Sequence, residues 1–189
     1  MTINVSLSTC IASAVLTLSC LMLTPPAFAQ PRVDVAKQHD GHGGSADPAL
    51  VRQVRQGTEM FRDLQQALNA GYAQFLGCVS GPQEGAMGVH YVNGALVDGE
   101  VDASRPEALI YEFKNGVARL VGVEFVVPAA AWDATHDGPP VLEGQTFQFN
   151  GAPNRYRLPA FYELHVWAWR DNPSGTFVDW NTRVSCDGM

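Results

Sequence analysis

The hydrophobic period of this chain changes once, at Gly71-Tyr72, and that change limits the folds open to it. Before it, Leu50, Val54, Phe61, Leu64 and Leu68 recur at helical spacing, with Arg52, Arg55, Arg62 and Gln65 elsewhere. After it, apolar residues alternate with period two in segments of β-rich composition. One amphipathic helix buries only one stripe, so a sheet must receive it. The expectation is an α+β fold in which an N-terminal amphipathic helix packs on a strongly curved antiparallel β-sheet or partly closed barrel.

The boundaries carry their own signals. Asp47-Pro48 supplies a capping carboxylate and a proline whose missing N–H costs nothing in a first turn, and Gly71 stands where a left-handed C-cap would. Gly57 inside the pattern costs about 1 kcal/mol relative to alanine and marks an expected kink. Strands are expected at Tyr72–Val79, Ala86–Val92, Ala108–Phe113, Val117–Val127, Thr146–Phe149 and Phe161–Arg170. Lys114-Asn115-Gly116 is a hairpin signal, because Asn-Gly supplies positive φ at little cost. Gly81-Pro82-Gln83-Glu84-Gly85 reads as a turn rather than a phosphate loop, since no strand-to-helix transition follows it. The last residues, with Phe177, Trp180 and Cys186, are expected to cover a sheet edge or barrel mouth.

Composition places the chain in an oxidising compartment. Residues 1–29 contain no Lys, Arg, Asp or Glu and run mostly apolar from Ile11 to Leu23, and Ala27-Phe28-Ala29 is a small-x-small cleavage site. The reading is a signal peptide cleaved after Ala29, giving a periplasmic or secreted protein; a lipoprotein at Cys20 is disfavoured by Thr17 three residues before it. Cleavage removes Cys10 and Cys20 and leaves Cys78 and Cys186, an even remainder that reads as a disulfide. Residues 30–46, rich in Gly and polar groups, read as a flexible linker in which His39 and His42 are weak Cu²⁺ or Zn²⁺ binders at most; residues 47–189 form a single domain. The net charge of −7 falls wholly after residue 29, and the absence of a Lys/Arg cluster argues against nucleic-acid binding. Nothing after residue 29 reads as a membrane span.

Four ionisable side chains occur inside the apolar strand segments: His90, Glu124, Glu163 and His165. Burying such groups is costly unless they are paired, hydrogen-bonded or metal-bound. Glu163 and His165, two apart, share a strand face with Phe161, Trp167 and Trp169. His90 shares its face with Ala86 and Gly88, and Glu124 with Gly122, small neighbours that leave room beside a functional group. If the faces converge, two imidazoles and two carboxylates suit Zn²⁺, Mn²⁺ or Fe²⁺. In ligand type and Glu-x-His spacing alone this resembles the metal set of cupin barrels, whose glycine-flanked motif is absent. Three readings stay open. The four residues form a metal or acid/base catalytic site for a small molecule, they orient a ligand in a non-catalytic pocket lined by Tyr91, Trp167 and Trp169, or they are structural ion pairs only.

The segments Gly71-Tyr72, Cys78-Val79, Ala86-Met87-Gly88-Val89-His90-Tyr91-Val92-Asn93, Leu109-Ile110-Tyr111-Glu112, Leu120-Val121-Gly122-Val123-Glu124-Phe125, Leu164-His165-Val166-Trp167, Asn172-Pro173-Ser174-Gly175, Trp180-Asn181 and Val184-Ser185-Cys186 together resemble a family of uncharacterised small exported bacterial proteins. The resemblance spans roughly residues 60–186. It implies one domain over that span and a partnership between the two cysteines, and it implies no activity.

Overall fold

The helical region is not one helix but three short pieces. A computed structural model describes residues 48–188. The expected signal peptide, the linker with His39 and His42, and the Asp47 cap lie outside the described residues. Helix α1 runs Ala49–Thr58 with Pro48 at its N-cap; a 3₁₀ turn follows at Glu59–Arg62, then α2 at Leu64–Asn69. The break falls at Thr58 to Asp63 rather than at Gly57. Thr58 Oγ1 donates back to the Val54 carbonyl, and Tyr111 Oη takes the Phe61 carbonyl, so the ladder is diverted. Asp63 then restarts it by accepting from Gln65 N. The stripe slips by one residue as a result: Ala67 is buried where Leu68 was expected, and Leu68 is 43 % exposed. Gly57 serves proximity instead, because a Cβ there would lie 2.2 Å from the Ser104 carbonyl oxygen. Gly71 does cap α2 in the left-handed region (φ +93°), with its N–H bonded to Leu68 O and that of Tyr72 to Ala67 O.

The sheet has six antiparallel strands in the order β1-β2-β3-β4-β8-β7 and curls into a half-barrel. These are β1 Ala73–Gly81, β2 Gly85–Val92, β3 Ala108–Lys114, β4 Val117–Pro128, β7 Gln148–Asn150 and β8 Phe161–Val166. A four-residue helix α3, Ala129–Trp132, follows β4, and the two-residue strands β5 Val141–Leu142 and β6 Gln145–Thr146 pair with each other. The expected strand at Thr146–Phe149 is split because Phe147 turns into the core against Phe125. The β3–β4 hairpin turns on Asn115 and Gly116, both at positive φ, as the Asn-Gly signal requires.

The two sheet faces differ in kind. The outer face carries Val89, Tyr91, Leu109, Tyr111, Val123 and Phe125, and it receives Leu50, Val54 and Phe61 from the helical pieces to make the main core. Each such buried apolar side chain contributes about 1.5–3 kcal/mol. The other face carries His90, Glu124, Glu163 and His165, as alternation along β2, β4 and β8 demands. After β8 the chain crosses back, Asn181 bridges to Ala86, and the Cys78–Cys186 disulfide (Cα–Cα 5.7 Å) ties the tail to β1. No described helix is long and apolar enough to cross a membrane.

Candidate metal centre

Curvature brings the four residues together. Glu124 and His165 are direct cross-strand partners, and Val126, two residues on, faces Glu163. His90 lies on β2, three inter-strand steps from β8. In a flat sheet that is about 14 Å. Yet the His90 and His165 Nε2 atoms are 3.5 Å apart, so these side chains must meet across the inside of the curl. Two glycines permit the bend. A Cβ at Gly88 would lie 2.8 Å from the Tyr111 carbonyl oxygen, and one at Gly122 2.9 Å from that of Val166. This corrects the expectation that small neighbours leave open room: at Gly88 and Gly122 the adjacent strand and the Trp167 ring take the space.

His90 Nε2 stands 3.4 Å from Glu124 Oε2, and one ligand atom from each of His90, Glu124 and His165 lies within 4.8 Å of the others. Such separations are long for a hydrogen bond. They match the edge of a coordination tetrahedron, since donors about 2.0–2.1 Å from a central ion stand about 3.3–3.4 Å apart. Behind His165, Nδ1 lies 3.6 Å from Asp179 Oδ1, which also accepts a 2.9 Å bond from Gln148 Nε2. Glu163, His165 and Asp179 form a second group that meets the same distance limit. These buried His, Glu and Asp groups could hold a metal.

The electrostatics follow from burial and from the crowding of these groups. All four residues are buried, His165 to 1 % exposure. Burial first, and then the charge of His165, push His90 down to about 3. Burial also acts to lower His165, but Glu124, Asp179 and Glu163 outweigh it and raise that imidazole to about 9. Glu124 is raised well above the usual carboxylate range by burial, against the pull of His165 and with a further push from Glu163, whose carboxyl lies within hydrogen-bonding reach. Contact with His165 holds Asp179 low. At neutral pH His165 therefore carries a proton and Glu124 is driven toward its neutral form, while His90 stays neutral and offers a lone pair. Even so, Glu163 Oε2 and His165 Nδ1 have no hydrogen-bond partner among the described residues.

An apolar cavity of about 180 Å³ opens onto His90 and Glu124. Its walls include Phe75, Val92, Val126, Leu158 and Phe161, with Tyr156 beside them. Leu76, turned to positive φ by the bulge in β1, stands at its exposed rim. None of the three expected ligand-lining aromatics contributes. Tyr91 adjoins His90 on the strand and therefore points to the outer face, edge-on to Tyr111. Trp167 packs with Ala86, Ile110 and Val121, its Nε1 bonded to Val178 O, and buttresses the His165 ring. β8 stops at Val166 rather than Arg170, so Trp169 leaves the strand face and donates to Thr58 Oγ1 on the helical side.

The sequence reading missed Asp179 and Tyr156. Both lie outside named strands, where no periodicity aims a side chain; the tether at Cys186 close behind Asp179 was the only hint. Comparison with protein-family models, with curated proteins and with solved structures finds no match for this chain.

Proposed function

We propose that the chain is an exported metalloprotein whose centre is a divalent ion held by His90 Nε2, His165 Nε2 and the Glu124 carboxylate. The observation that carries this reading is the donor spacing of 3.4 and 3.5 Å, which suits Zn²⁺ better than an octahedral ion, whose neighbouring ligands stand about 3 Å apart. Asp179 takes the supporting place, turning His165 Nδ1–H toward a carboxylate so that Nε2 faces the ion. Two imidazoles and one carboxylate with a fourth position left open is the ligand count of catalytic rather than structural zinc sites. A bound ion there would polarise a substrate oxygen or acidify a water, facing the cavity. The disulfide supports a site of action outside the cytoplasm.

A metal-free acid–base pair is the second reading, favoured by the opposite shifts of His90 and His165 and by Asp179 behind the latter. Elemental analysis and calorimetric Zn²⁺ titration of the purified, disulfide-intact protein separate the two. One ion per chain, lost in His90→Ala and His165→Ala, is the expected result. A protein that purifies without metal and neither binds Zn²⁺, Mn²⁺ or Fe²⁺ nor gains thermal stability from them would leave only the acid–base reading.

A further inference from the structure

We infer that the cavity beside His90 and Glu124 binds a neutral, monocyclic or similarly compact hydroxyl or carbonyl compound of about six to eight carbons, with its oxygen toward the ion. This rests on the metal reading above and adds the ligand class. Size sets the first limit: an apolar cavity of about 150 Å³ accepts benzene, and this one measures about 180 Å³. A single ring or a short branched chain fills it. The walls set the second limit. Phe75, Val92, Val126, Leu158 and Phe161 offer no charge and no donor, so the body of the ligand is hydrocarbon.

Polarity is confined to one end, where His90 and Glu124 meet the cavity. Glu124 meets that end, and Glu163 and Asp179 stand around His165 behind it, so a divalent ion offsets two of three carboxyl groups. An anionic head would add a negative group that the ion does not offset, against apolar walls, whereas a neutral oxygen adds none. Tyr156 supplies the orienting group. It lines the same cavity, and among the described residues its hydroxyl has only the Met87 sulfur, 3.8 Å away, as a partner. Thioether sulfur is a weak acceptor, so the hydroxyl is free to donate to a ligand oxygen.

The test uses the whole disulfide-intact protein loaded with Zn²⁺, with p-cresol and benzoate as probes followed by calorimetry, and a Co²⁺-loaded sample for the visible spectrum. The protein is expected to bind p-cresol at least about tenfold tighter than benzoate, with a change in the Co²⁺ bands, the difference reflecting the added negative charge beside Glu124, Glu163 and Asp179. Val126→Phe and Leu158→Trp, which fill the cavity without touching the ion, should each weaken p-cresol about tenfold or more and leave Zn²⁺ affinity unchanged. Tyr156→Phe should weaken it about two- to tenfold by removing one hydrogen bond. Normal Zn²⁺ uptake with no p-cresol binding, or with binding that both filled variants retain, overturns this inference and leaves the metal reading standing. Tighter binding of benzoate overturns the neutral-head assignment, and failure to take up Zn²⁺ overturns the metal reading itself.

Discussion

Asp179→Asn tests the centre where it is most specific, because the change alters charge and almost no shape. Asp179 touches no proposed ligand atom; it stands 3.6 Å from His165 Nδ1, on the far side of the ring from Nε2. Asparagine keeps an oxygen for the 2.9 Å bond from Gln148 Nε2, so the tail segment stays anchored. What is lost is the carboxylate that fixes the imidazole tautomer and raises the basicity of the ligating nitrogen. Losses of this kind cost about 10–100-fold in metal affinity, or about 1.4–2.7 kcal/mol. Competition against a chromogenic zinc chelator at fixed pH reads that range directly. Asp171→Asn, which breaks an exposed pair with Arg183, is the matched control and should leave affinity unchanged. His165→Ala removes a ligand and should cost more than Asp179→Asn. Equal Zn²⁺ affinities for Asp179→Asn and the unaltered protein would refute the supporting role, and with it the claim that Nε2 of His165 is the ligating atom.

Three further outcomes follow from the scaffold. Glu107 is buried, accepts from Val126 N, and is raised to about 7, mainly by burial. An acid so raised stabilises the fold fully below about pH 4.5 and loses that contribution as pH climbs through 7, at most about 3 kcal/mol; urea unfolding of Glu107→Gln across pH 4.5–8 should lack this decline, and matching slopes would exclude it. Replacing Cys78 and Cys186 by alanine opens a loop spanning 108 positions and should lower unfolding free energy by about 4–5 kcal/mol, with no effect of dithiothreitol on the variant's denaturation curve. Gly57→Ala would gain about 1 kcal/mol of helix propensity, but its Cβ would lie 2.2 Å from the Ser104 carbonyl oxygen, so a net loss of about 1–3 kcal/mol is expected in a thermal melt; a stabilised variant would contradict the close packing.

The parts of the fold that were legible are those set by local chemistry. The change of period at Gly71, the Asn115-Gly116 turn and the alternation that put His90, Glu124, Glu163 and His165 on one face all follow from residue type and spacing. The capping signal at Asp63, with Gln66 three residues on, was equally available, but the continuous apolar stripe masked it. Other features depend on closure of the sheet. Nothing in the order of residues says that β2 and β8 approach across the curl, so the glycines read as open space when they mark strand-to-strand contact. Trp169 followed the strand rule until the strand ended at Val166, and a backbone donor to Val121 O then redirected it. Asp179 and Tyr156 reach the site from irregular segments, and only tertiary placement makes them partners.

The proposed ion would account for features of this cluster that ion pairing alone leaves open. Groups retained for structure satisfy one another, because an unpaired buried polar atom costs about 1–3 kcal/mol. Here Glu163 Oε2 and His165 Nδ1 have no hydrogen-bond partner among the described residues, and Glu124 must be driven toward its neutral form. The outer face shows what the same sheet does when packing alone governs. There Tyr111, buried on β3, donates to Phe61 O, and Tyr72, buried under the helical pieces, donates to Pro106 O, so both hydroxyls are satisfied. On the inner face two polar atoms lack such closure among the described residues. The proposed ion would draw His90, His165 and Glu124 into one coordination shell and leave His165 Nδ1–H to Asp179.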